Sequence, residues 1–139
     1  MPRIDVSFLV LATLCLIGGV SMGIVMGILH QFEYAPVHAH LNLLGWASLA
    51  LFGLSYRSYP ALQRSKLALP HFVLSSTSAV LFPLGIYFSM AHQFMPLVVA
   101  AAFAWLCGVL LFLTNLIVSL VLGERKLASR PASLARVAA

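Results

Sequence analysis

Four long apolar runs decide what this chain can fold into: Val6 to Leu29, Pro36 to Tyr56, Leu69 to Met90 and Pro96 to Leu122, none containing an Asp, Glu, Lys or Arg. A helix needs about 20 apolar residues to cross the hydrocarbon core of a bilayer, and each run meets that length. Inside lipid every backbone N–H and C=O must be satisfied within the chain, which leaves helices and closed barrels. The runs show no apolar–polar alternation with period two, so the pattern predicts an all-α integral membrane four-helix bundle rather than a barrel. Composition agrees: 62% of the 139 residues are hydrophobic and 8% charged, against roughly a quarter charged in a soluble domain. The connections, Gln31 to Ala35, Arg57 to Ala68 and Ala91 to Met95, are short, so successive helices run antiparallel.

Charge then orients the bundle. Arg3 precedes the first run, Arg57, Arg64 and Lys66 lie between the second and third, and Arg125, Lys126, Arg130 and Arg136 follow the fourth. The loops after the first and third runs contain no Lys or Arg. Basic residues collect on the cytoplasmic side, so both termini are expected there, in the inner (plasma) membrane of a bacterium. The net charge of +5 then reports topology, and no nucleic-acid partner is expected. The first run is too long for a signal peptide and lacks a small-residue cleavage site, so it is expected to stay as a span. The organisation is therefore a four-helix membrane domain over residues 1–122 and a basic cytoplasmic tail over 123–139, with a short surface helix broken at Pro131.

Within the runs, Gly19, Gly23 and Gly27 form a small-residue stripe of the kind that lets helices approach closely in lipid. Pro83 predicts a kink in the third helix. Thr114 and Asn115 are expected to bond across helices, and Cys15 and Cys107 to behave as small apolar residues. With only Asp5, Glu33 and Glu124 as carboxylates, acid–base chemistry by carboxyl groups has little to work with, and no nucleophile or phosphate loop is recognisable.

The chemistry-bearing residues are the five histidines. In this topology His30, His38, His40 and His92 fall at the outer face with Glu33, and His71 at the cytoplasmic end. His30, His71 and His92 read as interfacial. His38 and His40 lie inside the second span, just after Pro36. At about 100° per residue they project about 200° apart, so they cannot hold one ion from a regular helix but can serve two sites. The His38 face continues through Asn42, Gly45 and Leu49, the His40 face through Leu43, Leu44, Ala47 and Leu51. Small residues beneath each imidazole, Gly45 and Ala47, predict room for a flat macrocycle, which suits haem.

The segment from Pro36 to Pro60, with His38, His40, Leu44, Gly45, Trp46, Gly53, Tyr56 and Pro60 at the matching positions, resembles a haem-binding helix of the haem-copper oxidase catalytic subunit, most nearly of the C-type oxidases and nitric oxide reductases. The resemblance implies haem b, with paired histidines ligating two haems on opposite sides of one helix. The family's subunit has twelve helices in three arcs of four, so it also implies that this chain is one arc and that three copies assemble. His38 of one copy and His40 of the next would then share a haem, with His92 and His30 as alternative second ligands and Asn42, Gly45 and Trp46 lining the site. The copper-holding pattern of the family is missing, so no oxygen-reducing centre is expected. A small b-type cytochrome for electron transfer or diatomic gas binding is the leading expectation, with a redox partner or a quinol near Trp46 or Trp105. Two readings stand beside it: a copper or zinc protein using His30, Glu33, His38, His40 and His92, and a cofactor-free accessory or assembly subunit.

Overall fold

The computed structural model describes residues 3–128. Four helices are long and apolar enough to cross a membrane: Ile4–Leu29, Ala35–Ser58, Ala68–His92 and Pro96–Val121, the last being the apolar part of a helix that runs on to Ala128. The chain is thus helical and multi-pass, as the apolar runs predict. The helices are α1 (Ile4–Leu29), α2 (Ala35–His40), a π-helical segment (Leu41–Ser48), α3 (Leu49–Ser58), a short α4 (Pro60–Arg64), α5 (Ala68–His92) and α6 (Pro96–Ala128). Because α6 continues past Leu122, the basic tail begins as helix; the expected break at Pro131 lies outside the described residues.

The polarity is the reverse of a soluble domain. Val10, Leu14, Ile17, Ile28, Leu43, Leu51 and Phe103 are exposed, while Asp5, His71, Ser75, Ser78 and Asn115 are buried. Hydroxyls outside the core satisfy themselves on their own helix: Thr13, Ser55 and Thr114 each donate to the carbonyl four residues back, all at 2.8 Å. Thr114 therefore does not bond across helices as expected; of the two, only Asn115 does.

Helices in lipid gain nothing from covering apolar side chains that lipid tails would cover equally well, so close approach of backbones decides the packing. The antiparallel contact between α1 and the second span is a ladder of small residues facing larger ones. His38 seats against Gly23, where an added methyl would lie 2.9 Å from the imidazole, Asn42 covers Gly19, and Gly45 faces Cys15, 2.8 Å from a methyl on that glycine. Gly27 meets nothing within 4 Å, so the stripe works over two of its three glycines. A second tight contact joins α5 to α6, where Gly85 lies against the Val98 backbone. The two pairs meet through an aromatic core of Phe8, Phe52, Tyr56, Phe112 and Trp105. The second span sits at the centre: 39% of its most apolar stretch is buried, against 11% for the fourth. Helix α5 is continuous through Pro83, which is itself buried.

The π segment departs from the regular helix expected for the second span. Two side-chain bonds accompany it. Asn42 Nδ2 donates to the His38 carbonyl at 2.9 Å, and Ser48 Oγ donates to the Leu43 carbonyl five residues back at 2.8 Å. Both take acceptors that an α-helical ladder would use, a competition typical of Asn and Ser, and Gly45 in between relaxes the backbone. The widened turn separates the face expected below His40: Leu43 and Leu51 are 61% and 64% exposed while Leu44 is 8% exposed.

These contacts predict opposite outcomes for two glycine substitutions in detergent-micelle unfolding. Gly85→Ala drives a methyl to 2.7 Å from the Val98 backbone and is expected to destabilise by about 1–3 kcal/mol. Gly27→Ala fills open space and is expected to be neutral or to stabilise by up to about 1 kcal/mol through helix propensity. Equal effects at the two positions would contradict the packing described.

Candidate functional site

The two histidines of the second span project in opposite directions, as their spacing requires, because both precede the π segment. His38 points at α1 and is half-buried between Gly19 and Gly23. His40 points at α5, where its ring stacks on Phe82 with centroids 5.1 Å apart and planes 19° from parallel. In both, Nδ1 lies at hydrogen-bond distance from a backbone carbonyl: Gly19 at 2.9 Å for His38 and Pro36 at 2.8 Å for His40. A carbonyl only accepts, so Nδ1 carries the proton in each and the Nε2 lone pair is left over when the ring is neutral. The Asn42 amide also lies 3.4 Å from His38 Nδ1, but its shorter contact is with the His38 carbonyl. An imidazole anchored through Nδ1–H to a carbonyl is the arrangement that orients a histidine for metal ligation through Nε2.

Space differs between the two. The room expected beneath His38 is closed, because Gly45 is filled by Cys15 and Gly19 by Asn42. The small residues there serve helix packing. His40 is covered on one side by Phe82, and Leu43, one turn on, is exposed to the surroundings of the bundle. Trp46 and Trp105 both pack against the aromatic core.

The other histidines of this end are dispersed. His30 caps α1 in a left-handed conformation (φ 52°) and is exposed. His92, at the last turn of α5, is exposed beside Phe88 and Tyr87, and Glu33 is exposed in the loop. Among the described residues, no three His, Cys, Asp or Glu side chains converge where they could hold an ion.

A second polar site, which the interfacial reading of His71 missed, lies at the opposite end. His71 is fully buried, caged by Phe8, Phe52 and Phe112. Its Nδ1 lies 3.0 Å from the Tyr56 hydroxyl; Asn115 Nδ2 donates to that hydroxyl oxygen and to the Leu62 carbonyl, each at 3.2 Å, and Ser119 donates to Asn115 Oδ1 at 3.2 Å. With Asn115 donating to its oxygen, the Tyr56 hydroxyl spends its proton on His71 Nδ1. That places the His71 proton on Nε2, the reverse of His38 and His40. Nε2 has no conventional partner, but Phe52 stands edge-to-face with the ring at 4.7 Å and 83°, a geometry in which an aromatic face can receive an N–H. A periodic polar stripe was the available signal: His71, Ser75 and Ser78 recur at helical spacing and all are buried.

At the same end Asp5 is buried, its Oδ2 3.5 Å from Arg3 and 3.7 Å from Arg57, tying α1 to α3.

No protein-family model, curated protein or solved structure matches the chain.

The buried network predicts a graded mutational response in micelle unfolding. Asn115→Leu strips the donor from Tyr56 and from the Leu62 carbonyl and is expected to cost about 1–3 kcal/mol. Ser119→Ala removes only a peripheral donor and is expected to cost under about 1 kcal/mol. An Asn115→Leu protein as stable as the parent would show that the network contributes nothing.

Proposed function

We propose that the chain is a membrane b-type haem protein of the haem-copper oxidase type, holding haem through His40 and acting in electron transfer or diatomic gas binding. The observation that carries this reading is the Nδ1–H bond of His40 to the Pro36 carbonyl at 2.8 Å, on a half-buried ring that Phe82 covers from one side. His38 has the same donor chemistry, with its ring against Gly23. Stacking on Phe82 fixes the plane of the His40 ring, and the exposed Leu43 and Leu51 supply apolar surface along the same helix.

In this reading the second ligand comes from a neighbouring copy in a homotrimer, either its His38 or one of the exposed His30 and His92. Bound haem would supply one-electron chemistry if both axial positions are imidazole, and gas binding if one is open. The placement of Lys and Arg in the sequence supports a histidine end at the outer face of a plasma membrane. A cluster of His30, Glu33, His38, His40 and His92 around copper or zinc gains no support within one chain, since these side chains do not converge.

The test is a reduced-minus-oxidised absorption spectrum of the purified protein and two variants, with light scattering for mass. The parent is expected to show b-type bands in a trimer-sized particle. His40→Ala is expected to lose the bands, whereas His71→Ala, where it folds, keeps them. A parent without porphyrin, or bands that persist in His40→Ala, would overturn the assignment.

A further inference from the structure

We propose that the basic end of the bundle carries a binding site for the phosphate of an anionic phospholipid, formed by Arg64 and Lys66 over an apolar floor of Ile4, Ala68 and Leu69. These residues line one concavity between the start of α1, the short helix α4 and the start of α5. The starts of two spans meet here, so the concavity sits at the depth where lipid headgroups give way to acyl chains.

The site is built rather than draped. Leu62 on α4 is fully buried, and its carbonyl is taken by Asn115 at 3.2 Å, which fixes α4 to the membrane body. The turn that follows is closed by two bonds to Ser65, from the Ala68 N–H to its carbonyl at 3.2 Å and from the Leu67 N–H to its hydroxyl at 3.2 Å. Arg64 and Lys66 are therefore carried on a fixed segment.

Charge supplies the second argument. Asp5, the buried carboxylate at this end, gives its ion pairs to Arg3 and Arg57. Arg64 and Lys66 form no ion pair among the described residues and are exposed. Two exposed cations without an ion pair among the described residues, above an apolar floor, complement one chemistry: a phosphate whose own substituent is a hydrocarbon chain. A free phosphate would satisfy the cations but leave the floor unused. Leu69, 53% exposed beside the buried Ile4 and Ala68, is placed to meet the acyl chain.

The experiment uses the full chain in nanodiscs of phosphatidylcholine with increasing phosphatidylglycerol, with retained phosphatidylglycerol counted by native mass spectrometry. The parent is expected to retain it. Arg64→Gln with Lys66→Gln is expected to weaken retention by roughly ten- to thirtyfold, the effect of two interfacial basic contacts. Arg130→Gln with Arg136→Gln removes the same charge elsewhere and is expected to retain the lipid as the parent does. Arg64→Lys with Lys66→Arg is expected to restore retention to within about threefold of the parent, which checks that charge and not folding is measured. Equal loss in the two Gln double variants would reduce the site to diffuse attraction, and full retention in Arg64→Gln with Lys66→Gln would overturn it. Displacement of the lipid by millimolar inorganic phosphate would overturn the lipid assignment in favour of a soluble anion.

Discussion

Apolar side chains in a bilayer are as well solvated by lipid tails as by one another, so this bundle depends on how closely its backbones can approach and on what its few buried polar groups can bond. The ladder between α1 and the second span meets the first condition. Gly23 admits His38, Gly19 admits Asn42, and Gly45 admits Cys15. The Tyr56–His71–Asn115 network meets the second, joining the second span to α5 and α6 where no water competes. A hydrogen bond at such a depth is hard to replace, because a group that loses its partner finds no solvent.

The same ladder decides what the paired histidines can do. By seating His38 against α1 it directs His40 to the other side of the helix, and Phe82 meets it there. Asn42 is shared between two tasks: it fills the space over Gly19 and bonds the His38 carbonyl at the start of the π turn just below the histidines. π turns of this kind recur at functional sites. Here the turn rotates the apolar face beneath His40 so that Leu43 is turned outward and Leu44 inward. On the side away from Phe82, a neighbour of His40 would therefore come from outside the chain. Packing and the proposed ligand geometry are thus set by one short stretch, His38 to Gly45.

Much of this was legible in the sequence. Charge-free runs longer than a bilayer core fix the number of spans, and the i, i+2 spacing of His38 and His40 fixes their divergence. The role of Asn115 as an inter-helix donor also follows from its depth. What was not legible depended on contacts between helices distant in sequence. Gly45 looks like room for a ligand until Cys15 occupies it, and Thr114 looks like a cross-helix donor until it finds the Leu110 carbonyl. His71 sits near a helix start and so reads as interfacial. Only the packing of Phe8 and Phe112 from other helices buries it. The π segment escaped because helical periodicity assumes a regular turn throughout the span.

The bundle sorts its histidines by which ring nitrogen holds the proton, leaving Nε2 of His40 as a lone-pair donor while His71 is a hydrogen-bonded core residue. Solid-state ¹⁵N NMR of the histidine-labelled, haem-free protein in lipid at mildly alkaline pH measures this directly. The hydrogen bonds predict the Nδ1–H tautomer for His38 and His40 and the Nε2–H tautomer for His71. An Nε2–H tautomer at His40 would contradict it, since that ring would then have no lone pair to offer where the proposed haem is to bind.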